Sequence, residues 1–276
     1  MTQQFTVSNL WIASAVAAIL FDILYPIGLA LLVRRRLGVG WRYFGYGALI
    51  FALFQILTRV PAVQLIQAQI APQLQESRPL LFAWLAALSL SAGVFEEVGR
   101  YVGYRWLMRR EEKTWSKAVM YGVGHGGIEA MVLVAGLALL GLVNLVALSS
   151  LDLSTLPISD EQRAQVEAQL AAVQSLPGWT PLLGAWERLW TVPFHVMLSV
   201  LVLQVFRRAQ IWWLLLAIGV HALLNLAAVG LPEALGLEGL AELLLPEAII
   251  AVAGLVSLWV VWRLRDEPRE EPRADA

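Results

Sequence analysis

All three histidines of this chain, His125, His195 and His221, stand in apolar stretches that also carry carboxylates. The stretches read Gly93-Val94-Phe95-Glu96-Glu97-Val98-Gly99-Arg100, then Gly124-His125-Gly126-Gly127-Ile128-Glu129, then Glu187-Arg188 ahead of Phe194-His195, and last His221-Ala222-Leu223-Leu224-Asn225. Residues four apart share a helix face, so His125 pairs with Glu129, His221 with Asn225 and Glu96 with Arg100, while Glu187, Thr191, His195 and Ser199 form one stripe. The chemistry these types offer is hydrolysis. A carboxylate held away from water can take a proton from a bound water molecule, and a neutral imidazole can orient that water or carry the proton. His221 and Asn225 can donate to a developing oxyanion, an effect worth roughly 10²–10³ in rate per donor. A second route uses His125, Glu129, His195 and His221 as tetrahedral zinc ligands with an activated water. Both routes end at amide hydrolysis. No Ser-His-Asp or Cys nucleophile is arranged, and cysteine is absent.

The elements that must position these groups are membrane-spanning helices. Of 276 residues, 59% are hydrophobic and only 15% charged, with a mean hydropathy of +0.67. That composition excludes a soluble enzyme, a nucleic-acid binder and a disordered scaffold. Twelve Trp suit a protein with two interfaces to anchor. Apolar runs long enough to span cover roughly Leu10–Val33, Trp41–Leu57, Leu80–Met108, Ala118–Leu148, Pro181–Phe206, Ile211–Val229 and Leu243–Trp262. The expected fold is all-α, a polytopic transmembrane bundle of about seven helices forming one domain over residues 1–262. Val60–Ile70 reads as an interfacial or re-entrant piece. Ser159–Leu176 has capping-box spacing and an apolar face of Val166, Leu170 and Val173, as expected of an amphipathic helix on the outer surface, whether a lid, a substrate-docking surface or a resting connector. The tail, 263–276, is charged and expected to be disordered.

Alternating seven spans puts fifteen of the twenty Lys and Arg at one end, Arg59, Arg78 and Arg163 at the other, and Arg100 and Arg188 inside. The positive-inside rule then gives a multi-pass protein of the cell membrane with its N-terminus outside and C-terminus cytoplasmic. The first basic residue is Arg34, so the first span lacks a signal-peptide n-region and is expected to stay. Counted from the basic ends, Glu97, Glu129 and His195 lie twelve residues in and His221 thirteen, a common depth of about 18–20 Å. His125 and Arg100 lie shallower and Asn225 deeper.

Ionisable groups at such depth cost about 2.5–3.5 kcal/mol each on insertion scales. One buried His is explained by packing, a Glu–Arg pair by helix association, and Asp22 and Glu247 by single helix contacts or the interface. Carboxylates, three imidazoles and a carboxamide on four helices exceed what packing needs. The spacing suggests that Arg100 neutralises Glu96 and leaves Glu97 the more available carboxylate. Gly99, Gly103 and the glycines around His125 allow close helix approach, and Pro193 is placed to bend its helix and aim His195. The rival reading is a proton- or ion-coupled transporter using the Glu/His layer as a relay, although no internal repeat supports inverted halves.

At these residues, from about 90 to 226, the chain resembles the YhfC family of intramembrane proteases, distant relatives of the CAAX prenyl-endopeptidase and bacteriocin-processing enzymes. The resemblance implies a helical membrane core in which Glu and His activate water to cut a membrane protein or peptide within the bilayer. Carried over by position, Glu96 or Glu97 is the base, His125 its partner, His221 and Asn225 the oxyanion pair and His195 an added family position, with Arg100 and Glu129 supporting. The resemblance leaves both a metal-dependent and a metal-free glutamate route open, zinc being the candidate ion. One departure stands out. The CAAX-type pattern separates its Glu pair from Arg by three residues, whereas here only Val98 and Gly99 intervene. The carboxylate roles therefore do not transfer directly, and a prenylated substrate is not implied.

Overall fold

The computed structural model describes residues 7–151 and 157–265, and every regular element among them is helical. In chain order these are α1 (Asn9–Leu37), α2 (Trp41–Phe51), a π-helical stretch (Ala52–Arg59), α3 (Val60–Glu76), α4 (Arg78–Trp106) and α5 (Trp115–Ile128). A second π stretch (Glu129–Val134) follows, then α6 (Ala135–Ser150), α7 (Asp160–Ser175), α8 (Leu182–Arg208), α9 (Trp212–Leu235) and α10 (Leu240–Arg263). Ser8, Ser77 and Thr114 start α1, α4 and α5 by accepting first-turn backbone N–H groups. Gly38 and Gly236 end α1 and α9 in the left-handed region, at φ 66° and 60°, which glycine adopts without a Cβ penalty.

Among the described residues, seven helices are long and apolar enough to cross a membrane: α1, α2 through α3, α4, α5 through α6, α8, α9 and α10. Two of them run 36 residues, about 54 Å of helix, and must tilt or project beyond a hydrocarbon core of about 30 Å. The second span does not stop at Leu57, and Val60–Ile70 is neither re-entrant nor separate. The Val60 N–H reaches back five residues to the Gln55 carbonyl, and this wider register ends just before Pro61, which has no N–H to give an α-turn. The helix therefore runs on. Arg59, expected in a far loop, lies inside that helix.

α8 is the central element: 83% of its most apolar window is buried, against 33% or less in every other span. On its basic half Val196 to Val205 share one buried cluster with Ala118 to Val123 of α5, Tyr104 of α4 and, on the far side of α5, Tyr43 and Ile50 of α2. In lipid there is little hydrophobic drive between helices, so close packing must hold them. Small residues permit it. A Cβ on Gly124 would fall 2.0 Å from the Phe44 carbonyl oxygen, and one on Gly122 would fall 2.5 Å from Val196 Cα, so α5 touches α2 and α8 backbone to backbone. The polar groups described next lie just beyond this packed half.

α7 begins with the expected capping box, Ser159 and Gln162 bonding reciprocally. Val166, Leu170 and Val173 face a cavity beside α1 and α6. Of the tail, only Arg263 to Arg265 fall among the described residues.

Candidate active site

Five helical segments deliver the polar groups expected from the sequence. α4 carries Glu96, Glu97 and Arg100, α5 carries His125, and the second π stretch opens at Glu129. α8 carries Arg188 and His195, and α9 carries His221 and Asn225. α8 stays continuous through Pro193. That residue has no N–H for the Leu189 carbonyl, which accepts instead from the Tyr25 hydroxyl at 3.2 Å and ties α1 to the site helix.

Glu96 is the hub. Its Oε2 is 3.0 Å from His125 Nε2, 3.6 Å from Arg100 Nη2 and 3.7 Å from His195 Nδ1. Its Oε1 accepts from Gln55 Nε2 and lies 3.8 Å from His221 Nε2. Glu97 is paired directly with Arg100 Nη1 and accepts from His221 Nδ1 at 2.8 Å. Arg100 donates its other arm to His195 Nδ1 at 2.7 Å, and His195 Nε2 lies 2.6 Å from Glu129 Oε2. Arg188 closes the chain, donating to Glu129 Oε1 at 3.0 Å and to Glu187.

These contacts fix the imidazole tautomers by inference from donor and acceptor types. A guanidinium has only hydrogens to offer, so His195 presents its lone pair at Nδ1 and its N–H at Nε2, towards Glu129. His221 gives its Nδ1–H to Glu97 and turns the Nε2 lone pair to Glu96 Oε1. His125 gives its Nε2–H to Glu96, and its buried Nδ1 has no hydrogen-bond partner among the described residues. The Phe51 ring meets His125 edge-on, centroids 5.1 Å apart, and limits its rotation.

A cavity of about 350 Å³ opens on one side of this network, lined by Glu96, Glu129, His195, His221 and Asn225 together with Gln55 and Arg59. Asn225 is half-buried one turn beyond His221 and makes no hydrogen bond among the described residues, which leaves its carboxamide for a guest. Glu97, Arg100 and His125 stand behind the wall, each wholly buried. The expected division of the carboxylates is thus reversed. Arg100 binds Glu97, three residues back, and Glu96 faces the cavity. The i,i+3 neighbour lies within direct reach of the guanidinium, while Glu96 is turned towards Gln55 and His125.

The expected zinc quartet of His125, Glu129, His195 and His221 does not converge on one point. Instead Glu96, His125 and His195 bring one ligand atom each within 4.8 Å of one another, and so do Glu96, Glu97 and His221. The His195 ring separates Glu129, on its Nε2 side, from the Glu96 and His125 atoms on its Nδ1 side. Imidazole and carboxylate donors suit a divalent ion, and the unpartnered buried atoms His125 Nδ1 and Glu97 Oε2 are what such a donor set leaves over. The cluster is compatible with a bound metal ion.

Sequence reasoning missed Gln55 and Arg59. Arg59 donates to Gln55 Oε1 at 3.3 Å and to Ser91 Oγ at 3.1 Å, and Gln55 passes the link on to Glu96. The signal was present: a Gln and an Arg four apart inside an otherwise apolar run. Asp22 is not at the interface but buried, with 1% of its surface exposed.

Residues 21–245 match the family model described as YhfC intramembrane metalloprotease. The chain is also 31% identical to the "Uncharacterized membrane protein YhfC" of Bacillus subtilis (strain 168), over 95% of its own length and 97% of that protein's. No solved structure matches. A family match across most of the chain, a full-length relative that is a membrane protein, and seven spanning helices around a buried Glu/His cluster agree: the chain belongs to the YhfC intramembrane metalloprotease family.

Proposed function

We propose that this protein is an intramembrane endopeptidase that hydrolyses a peptide bond of a membrane-embedded or membrane-proximal polypeptide, with Glu96 as the base. The observation that carries this reading is the Glu96 carboxylate on the wall of the cavity, held by neutral donors on both oxygens and facing an imidazole lone pair. A water in the cavity can donate one hydrogen to Glu96 Oε1 and the other to His221 Nε2, 3.8 Å apart, leaving its own lone pair for a carbonyl carbon. Glu96 then takes the proton, and His125 steadies the carboxylate through Oε2. Asn225 donates to the developing oxyanion, Glu96 passes its proton to the leaving nitrogen as the C–N bond breaks, and His221 Nε2 accepts the remaining water proton from the new carboxylic acid. His195, fixed between Arg100 and Glu129, orients Arg100 and excludes bulk water from the back of the site.

A divalent ion, zinc being the candidate, would be held by His125 and His195 with Glu96 Oε2 and would supply Lewis-acid polarisation and a more acidic bound water. The concentration of Lys and Arg at one end of the bundle supports an outside N-terminus and a cytoplasmic C-terminus.

The test is membrane proteomics on cells carrying the wild type or Glu96→Gln, paired with ion-flux measurements on proteoliposomes. Polypeptides that accumulate uncut in the variant support proteolysis. Ion movement by the wild type with no polypeptide changed in size would overturn it in favour of a relay.

A further inference from the structure

A second cavity, of about 540 Å³, lies between α1, α6, α7 and the start of α8, and no residue lines both it and the polar cavity. The wall between them is the second π stretch, with Leu133 facing the polar cavity and Val134 this one. Trp11, Ala15 and Ala18 form one side, Leu142 and Leu145 the other, and Leu170 of α7 the roof. The slot runs along α1 from Trp11 to Asp22, about 16 Å at 1.5 Å per residue. Small residues keep it empty: a Cβ on Gly141 or Gly184, both lining it, would meet nothing within 4 Å.

At its inner end stands Asp22, 1% exposed, whose Oδ1 has no hydrogen-bond partner among the described residues. Arg188 is within electrostatic reach, but no hydrogen bond joins it to Asp22: its Nη groups are directed to Glu129 and Glu187, and its buried Nε has no hydrogen-bond partner among the described residues. A buried carboxylate oxygen left unpaired is costly, and a slot that is mostly apolar, Asn144 and Gln169 excepted, and ends on one is complementary to a hydrocarbon body that ends in a cation.

We propose that this cavity is a binding site for a lipophilic amine, its ammonium group on Asp22 and its chain in the slot beneath α7. The assignment goes beyond the hydrolytic reading and does not depend on it.

Dodecylamine, whose extended chain is about as long as the slot, is the probe, and dodecanol its uncharged counterpart. Thermal unfolding of the full-length protein in neutral detergent is followed during titration with each. The expected result is a saturable rise in Tm with the amine and none with the alcohol. Asp22→Asn should weaken half-saturation at least tenfold, and Gly141→Leu, which fills the slot while leaving the carboxylate intact, should abolish the saturable shift. An equal shift with dodecanol, no saturable shift, or an unchanged amine response in either variant would overturn the assignment. Should Asp22→Asn not fold, the alcohol comparison and Gly141→Leu decide the question.

Discussion

Glu96 and Glu97 are neighbours in sequence, yet replacing each by Gln should fail in opposite ways. Glu97→Gln removes the anion bound directly to Arg100, whose side chain is wholly buried. The remaining carboxylate, Glu96, lies 3.6 Å from the other guanidinium nitrogen. Breaking a buried pair from one side typically costs about 3–5 kcal/mol, even though the amide oxygen can still accept from His221 Nδ1. Glu96→Gln leaves the Arg100–Glu97 pair intact. The new amide can keep one of the two hydrogen bonds from Gln55 and His125 but not both, a loss of about 1 kcal/mol. Its effect falls on the reaction, because an amide cannot take a proton from water, and a general base is worth about 10²–10⁴ in rate. Denaturation followed by Trp fluorescence reads the first quantity, and cleavage of a polypeptide found uncut in the variant membranes reads the second. Glu96→Gln should unfold nearly as the wild type does while losing at least a hundredfold in kcat, and Glu97→Gln should unfold early. A stable, inactive Glu97→Gln beside an active Glu96→Gln would refute the assignment.

Four further outcomes follow from the same geometry. Gln55→Met removes the donor to Glu96 and the acceptor for Arg59, and should lower kcat about tenfold, in line with one hydrogen bond to a charged group, without loss of fold by circular dichroism. Arg188→Met strands Glu129 and Glu187 and should destabilise by about 3–5 kcal/mol in a denaturant titration. Gly124→Ala drives a methyl group to 2.0 Å from the Phe44 carbonyl and should cost about 1–3 kcal/mol, read as a lowered Tm. Elemental analysis of purified protein should find about one zinc per chain, lost in His125→Ala and His195→Ala; full activity in metal-free protein would remove the ion from the mechanism.

Hydropathy alone located the seven spans, because twenty apolar residues in a row have few other destinations. It could not see through Arg59. One cation after Leu57 reads as the end of a helix, whereas here its charge is taken up by Gln55 one turn back and by Ser91 and the Leu88 carbonyl of α4, contacts to another helix that only the fold supplies. Counting from the basic ends put Glu97, Glu129, His195 and His221 in one layer, and the structure brings their neighbourhoods together. Such counting carries no azimuth. It could not say whether Arg100 would turn to the carboxylate three or four residues back, nor that the His195 ring would stand between Glu129 and His125. The π register at Glu129 is likewise a tertiary outcome, with no Pro or Gly at Glu129–Val134 to announce it.

The arrangement of charge explains why Glu96, of the carboxylates on the cavity wall, is suited to proton transfer. Glu129 is bonded to Arg188, Glu187 to the same guanidinium, and Glu97, behind the wall, to Arg100. Protonating any of these leaves a guanidinium short of its counter-charge where water is scarce. Glu96 differs. Gln55 and His125 hold it through neutral N–H groups, and its nearest guanidinium nitrogen is already engaged with His195. A proton arriving at Glu96 therefore weakens neutral hydrogen bonds rather than stranding a buried cation, and a proton leaving it restores them. A residue that must gain and lose a proton in every turnover is best placed where neither state disrupts an ion pair that holds helices together. On this wall only Glu96 meets that condition.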